Sequence, residues 1–265
     1  MSHAESPAPP EALPVVDGAL CLQCASCVRC CPTHVLRPDG GRPVAVRPDR
    51  CIDCRHCTAV CPTKAIRFSD TAADYPMAPD SVLLRLIQTR RSVRTYGDEL
   101  PDRGLIERAL RGAAWAPSGK NIHDNGWSVL WGRDAVRQAY DMTLDWCRET
   151  GIYPELLRNE ERGLDLVTCG APCVIIGHNL VRTLNPVVDT AIAMTTAELL
   201  LVEKGLATCW GGYLRHALND YAPLKAFCSI AEDREVFGVM MVGLPGEFYR
   251  NIPYRPEPSV HWIEG

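Results

Sequence analysis

The chain has 265 residues, a formal net charge of −4 and 46% apolar residues. The absence of a basic excess argues against nucleic acid or an anionic membrane surface as partner, and the length suits one large domain or a small domain joined to a medium one. Fourteen cysteines, nine of them before residue 62, favour the second arrangement.

The opening residues MSHAESPAPPEALPV lack the basic end and apolar run of an export signal, and no later stretch offers ~18 uncharged apolar residues. A cytoplasmic protein without a membrane span is expected, with residues 1–16 a flexible tail. In a reducing compartment, clustered cysteines act as metal ligands or redox groups rather than as disulfides. Here they form a repeat: CLQCASCVRCCPTHVLR begins at Cys21 and CIDCRHCTAVCPTKAIR thirty residues later at Cys51. Both copies end in Cys-Pro-Thr, two variable residues, an aliphatic residue and arginine. A duplication of this size predicts a small module with pseudo-twofold symmetry over residues 17–68. Its apolar core is too small to hold it together, so metal must supply the difference.

Each copy reads C-x2-C-x2-C-x3-C-P, the run of two-cluster bacterial ferredoxins, which this module resembles. Three thiolates spaced by two residues wrap one face of a cubane cluster, and the proline turns the chain so that the fourth reaches its neighbour. Cys21, Cys24, Cys27 and Cys61 are thereby assigned to one [4Fe-4S] cluster, and Cys31, Cys51, Cys54 and Cys57 to the other. Structural zinc is the rival reading, but its usual spacing is two cysteine pairs separated by a longer loop. Cys30, the leftover thiol, is read as a small buried hydrophobe pointing away from the cluster of residues 21–27.

Residues 69–79 carry no periodicity and read as a linker. A second domain, 80–265, opens with a helix capped by Asp80 whose Val82, Leu83, Leu86 and Ile87 share a face. Another helix is expected from Asp102 to Ala114, with Leu105, Ile106 and Leu110 inward, ending at the Pro117-Ser118-Gly119 breaker. Strands are predicted at 127–131, 173–180 and 237–244. Between the last two, a helix capped by Asp189 is apolar or small nearly all round, as suits burial in a core or against another subunit. The fold class expected is α+β.

A ferredoxin-like module joined to a larger domain implies that the larger domain holds a redox centre. There is no G-x-G-x-x-G or Walker loop, which disfavours a Rossmann domain. TRRSVRTY at 89–96 instead places Arg90, Ser92 and Arg94 on one side of an extended segment, with Arg91 beside them; guanidinium forks suit a phosphate. With APSGKN at 116–121, GLATCWGGY at 205–213 and YRNIPYRP near the end, these motifs stand in the order found in nitroreductase-like flavoproteins, which residues 80–265 resemble.

That resemblance implies an α+β sandwich in an intertwined homodimer with FMN at each interface. It assigns Arg90, Arg91, Ser92 and Arg94 to the flavin phosphate and ribityl chain, and Arg255 to the closing phosphate contact. Pro117, Ser118 and Asn121 become a flavin-contacting segment that serves the partner's site, and Trp210, Gly211 and Gly212 the strip facing the isoalloxazine edge. Glycine lets backbone approach a flat ring closely. For proton delivery His123 is named first, beside Tyr213 and Tyr140. Cys147, Cys169, Cys173, Cys209 and Cys228 read as core thiols.

The expected activity is that of an FMN-dependent oxidoreductase: two [4Fe-4S] clusters charge FMN, which reduces a small organic acceptor, whether a nitro compound, quinone, activated alkene or halogenated aromatic. A ferredoxin, a flavodoxin or NAD(P)H would be the electron donor. The competing reading is an electron-transfer adaptor between one-electron carriers and a protein partner. A substrate pocket over the flavin favours the enzyme, and a flavin edge open on a flat surface the adaptor.

Overall fold

The computed structural model describes residues 13–68 and 81–265; the expected linker at 69–79, the Asp80 cap and most of the expected tail lie outside the described residues. Two compact units divide the chain, one running to Thr89 and regaining Phe248–Gly265, the other Arg90–Glu247.

In the first unit the elements are β1 (Pro14–Val16), α1 (Ser26–Arg29), β2 (Leu36–Asp39), β3 (Arg42–Ala45), α2 (His56–Val60), β4 (Ile66–Phe68) and α3 (Val82–Thr89). Residues 14–16, expected to belong to a tail, are a strand paired antiparallel with β4, Val15 opposite Arg67. That pairing closes the module by joining its two ends. β2 and β3 form a hairpin turned by Gly40 and Gly41, both at positive φ, 54° and 84°, as a tight two-residue hairpin requires. The repeat is written into the backbone as well: Gln23, Ala25 and His34 have φ of 56°, 59° and 53°, and their counterparts Asp53, Arg55 and Lys64 have 48°, 56° and 56°. Leu36, Val60, Ile66 and Phe68 pack with Cys27, Cys30 and Cys57 as the core.

The C-terminal segment returns to this unit. The amides of Arg250 and Asn251 both donate to the Ala59 carbonyl, at 2.8 and 3.0 Å. The Asn251 side chain donates to the carbonyls of Thr58 and Cys61 at 3.1 and 2.9 Å. The C-terminal segment thus adds hydrogen bonds to the carbonyls of the last turn of α2. Helix α3 forms as predicted, but none of its residues is buried.

Its elements in the second unit are α4 (Arg103–Ala113), β5 (Gly126–Trp131), α5 (Arg133–Thr150), α6 (Pro154–Glu160), β6 (Cys173–Leu180), α7 (Pro186–Glu203), β7 (Ala207–Trp210), α8 (Gly212–Asp220), α9 (Ala222–Phe227) and β8 (Arg234–Gly243). The strands make one antiparallel sheet in the order β5-β6-β8-β7. Alternation along β6 sends Cys173 and Ile175 into a cluster with Ile106, Met194 and Leu201, and Val174 and Ile176 into one with Leu144, Leu214 and Leu218. Helices α4 and α7 therefore cover one face and α5 and α8 the other, an α+β sandwich with two apolar layers. Asp102 caps α4, its carboxylate accepting from the Leu105 amide at 2.8 Å, at the start of the helix expected from Asp102 to Ala114.

One expectation fails at α7. Helix α7 starts at Pro186 after Asn185, so Asp189 is not its cap but a buried residue of its first turn. GLATCWGGY contributes a strand, β7, at the sheet edge, where residue periodicity is too short to read. Among the described residues no helix is long and apolar enough to cross a membrane.

Candidate functional site

Two small cavities lie in the cysteine module. Cys21, Cys24, Cys27 and Cys61 line one, with Ser26, Pro43 and Thr63; Cys31, Cys51, Cys54 and Cys57 line the other, with Thr33, Arg55 and His56. The αL residues noted above bend each loop so that its thiols face inward. In both copies the thiol before the proline accepts an amide from four residues on, Val35 to Cys31 and Ala65 to Cys61, each at 3.2 Å. Cys30 lines neither cavity; it is buried, with its thiol 3.5 Å from the Cys27 carbonyl.

Burial, reinforced by neighbouring thiols, pushes Cys27 up to about 11 and Cys57 well above the ordinary thiol range. Crowded thiols of this kind stay protonated on their own and become thiolates when a metal takes the proton's place. Among the described residues no three His, Cys, Asp or Glu side chains converge on a point for one metal ion. Four thiols around each cavity fit a polynuclear iron–sulfur cluster better than zinc.

In the second unit, residues 92–96 run alongside the sheet edge. Ser92 bridges Thr208 of β7 in parallel, with the Val93 amide donating to the Thr208 carbonyl at 2.9 Å. This docks the arginine segment against the glycine strip. Glu198 of α7, buried at 4% exposure, ties them together. Its carboxylate accepts from Arg90 at 3.2 Å, from the Thr208 hydroxyl at 2.9 Å and from the Trp210 indole at 3.2 Å. A carboxylate buried in an apolar helix costs heavily unless so satisfied, and the run Leu199-Leu200-Leu201 directly after Glu198 is the sequence signal for its burial.

Beside the strip is a cavity of about 320 Å³ whose walls include Arg94, Trp210, Gly211, Gly212, Tyr153, Tyr213, His216 and Cys169. The Gly211 amide is taken by the Val239 carbonyl at 2.9 Å, so the amides free for a ligand begin with Gly212 at the start of α8. A Cβ at Gly212 would meet nothing within 4 Å. A flat ring has room there, and arginine stands at its side.

A phenol and an imidazole, Tyr153 and His216, share a short hydrogen bond through His216 Nδ1 in the same cavity. The Tyr153 ring meets Tyr213 edge-on at 5.0 Å and stacks on His216 at 5.8 Å. Burial, then Glu155, raises the Tyr153 phenol, while burial, then Arg215, lowers His216. The phenol therefore keeps its proton near neutrality, beside an uncharged imidazole. Nothing in the sequence around Tyr153 singles it out, because its partner is sixty-three residues away.

The remaining predicted residues lie elsewhere. Arg91 is buried and donates to the Arg90 carbonyl. Pro117, Ser118, Asn121 and His123 belong to a loop outside that cavity's lining. Its shape comes from Asp189, which accepts the Gly119 amide at 2.9 Å, and from Ser118, which accepts the His123 amide at 3.0 Å. The His123 ring contacts Asn121 Oδ1 at 2.7 Å. Tyr140 is buried in the α5 layer. Arg255 is exposed in the C-terminal segment of the first unit, donating to the Tyr254 carbonyl.

Comparison with known proteins bears on both units. The model of the nitroreductase family matches residues 87–244, and that of the 4Fe-4S dicluster domain residues 20–65. An FMN-bound nitroreductase from Bacteroides fragilis superposes with a TM-score of 0.56 at 20% identity, over 68% of this chain and 95% of that one. One from Desulfitobacterium hafniense, also with bound FMN, gives 0.58 at 22%, over 69% and 98%. A nitroreductase-like protein from Bacillus cereus gives 0.51 at 20%, over 72% and 100%. No curated protein matches the chain.

Proposed function

The chain belongs to the nitroreductase family, with a 4Fe-4S dicluster domain ahead of the family's own, and from that premise we propose an iron–sulfur flavoprotein oxidoreductase acting on a small organic acceptor. The observation that carries the proposal is the joining, in one chain, of two thiol-lined cavities to a cavity walled by Arg94, Gly211 and Gly212. Cys21, Cys24, Cys27 and Cys61 would hold one [4Fe-4S] cluster, and Cys31, Cys51, Cys54 and Cys57 a second.

FMN, when bound, supplies the conversion between one-electron delivery and two-electron reduction of the acceptor. The guanidiniums of Arg90 and Arg94 bind and orient anionic oxygens, with Glu198 fixing Arg90 against the strip. Gly212 opens the approach for a ring, and the apolar wall of Leu166, Val167 and Met241 excludes water from it. Tyr153 holds a proton at its phenol oxygen, facing the same space, and His216 orients it. A pocket with a proton donor suits a small acceptor (nitro compound, quinone, activated alkene or halogenated aromatic) and favours the enzyme over an adaptor between proteins. The electron donor is proposed to be a ferredoxin, a flavodoxin or NAD(P)H.

Anaerobic purification with metal, sulfide and flavin analysis tests this reading. About eight iron atoms are expected from two four-iron clusters, with one FMN per chain. Cys30→Ser keeps both clusters, and Cys31→Ser loses one. Zinc in place of iron, or a chain without flavin, refutes the proposal.

A further inference from the structure

The thiol cavities repeat at thirty residues, but their charge does not. At the fourth and fifth positions after the leading cysteine, the first cavity is lined by Ala25 and Ser26, the second by Arg55 and His56. Arg55 is only 4% exposed. Its Nε and Nη2 donate to the two oxygens of Asp53 at 2.9 and 3.2 Å, and the Asp53 side chain is 42% exposed. Asp53 does not line the cavity. The cation thus stands on the cavity wall while its counter-charge sits off that wall and partly in solvent, where screening is stronger.

The position of Arg55 is fixed by rings. Its guanidinium lies 4.6 Å from the centre of Phe68 and 5.6 Å from that of Tyr254, and Tyr249 meets the neighbouring His56 edge-on at 5.4 Å. Both tyrosines come from the C-terminal segment, so the chain's end covers the second cavity's charged side. At the first cavity the nearby cation is Arg29, which donates to the Cys24 carbonyl at 3.0 Å from an exposed position.

Resting on the reading that both cavities hold clusters, we propose that Arg55 makes the two sites electronically unequal, raising the reduction potential at Cys31, Cys51, Cys54 and Cys57. A cluster gains negative charge on reduction, and a buried fixed cation stabilises that form. The transfer between sites is one electron, lost at the first quartet and gained at the second, with no bond or proton involved. The second site becomes the end at which electrons collect before leaving the module.

The test is a redox titration of the anaerobically purified full chain, followed by electron paramagnetic resonance, with iron and sulfide counted on the same sample. Arg55→Gln is expected to lower one midpoint potential and leave the other in place. Asp53→Asn should raise that same potential, and Arg55→Lys should hold it near wild type. Ala25→Arg should raise the other, since Ala25 and Arg55 share φ near 59° and 56°. A tenfold change in electron distribution corresponds to about 59 mV for one electron, and a shift of that size is expected in each moving case. Full iron content with both potentials unmoved in Arg55→Gln and Asp53→Asn overturns the proposal. Should Arg55→Gln lose iron, unmoved potentials in Asp53→Asn and Ala25→Arg overturn it. Wild-type chain without iron refutes the cluster reading instead.

Discussion

Tyr153 and Glu198 show how a few side chains turn a common fold into a particular site. Glu198 joins Arg90, Thr208 and Trp210, so three sequence-distant groups share one buried carboxylate. Tyr153 and His216 share a hydrogen bond on the wall of the same cavity. Positioned proton donors typically contribute 10²–10⁴-fold, and where solvent can substitute the effect falls toward the lower end. Tyr153→Phe keeps the ring against Tyr213 and removes only the hydroxyl. We expect kcat to fall by about 10²-fold, with KM and flavin content near wild type. Steady-state kinetics across pH with a quinone or nitroaromatic acceptor checks this; unchanged kcat would remove Tyr153 from proton delivery. At this scale the eight cysteines proposed to hold clusters were legible because their spacing is a property of the linear chain. Tyr153 was not, since its partner lies on another element.

At the scale of elements, a polar network joins β5, β6, β8 and the loop after α4. Arg234 Nε donates to His178 Nδ1 at 2.7 Å, and the Asn179 amide donates to Asn125 Oδ1 at 3.0 Å. Gly126 starts β5 because a Cβ there would run into the His178 ring. Burial first, then the charges of Arg234 and Lys225, bring His178 down to about 4 from the usual 6.5. An unfolded chain then binds the proton more readily than the folded one. The neutral ring's contribution is intact above pH 6.5 and is lost as pH falls toward 4. About 2 kcal/mol should disappear between pH 7 and pH 5. Urea unfolding midpoints at the two pH values measure it, and the loss should be largely absent in His178→Gln. Asp189 also works between elements: its carboxylate takes the amide of Gly119, seventy positions away, rather than capping its own helix.

Across the whole molecule, unpartnered apolar surface stands out on two helices. Val82, Leu83, Leu84 and Ile87 of α3 are 75%, 60%, 45% and 48% exposed, and Val187, Val188 and Ile192 of α7 are exposed as well. Helix α7 is apolar nearly all round, yet only the side carrying Ala193, Met194, Ala197 and Leu201 is buried. Such surface suits a subunit interface, and a homodimer is expected. Light scattering on the eluted protein should give twice the chain mass, and Leu83→Asp with Ile192→Asp should shift it toward the single chain. A monomeric wild type that retains flavin would rule the dimer out. The loop of Pro117, Ser118 and Asn121 is placed by this reading against the partner's site.

The sequence by itself determined the two cysteine quartets, the α+β order of the larger portion and the arginine and glycine strips, because each is a pattern of spacing or periodicity within a short stretch. Tertiary structure alone decided that β1 closes the cysteine module, that the C-terminal segment caps α2, that Glu198 couples Arg90 to Trp210 and that Tyr153 meets His216. Each of these depends on groups far apart in the chain whose pairing is set by burial and by the need to satisfy polar atoms away from water, and no local pattern encodes it.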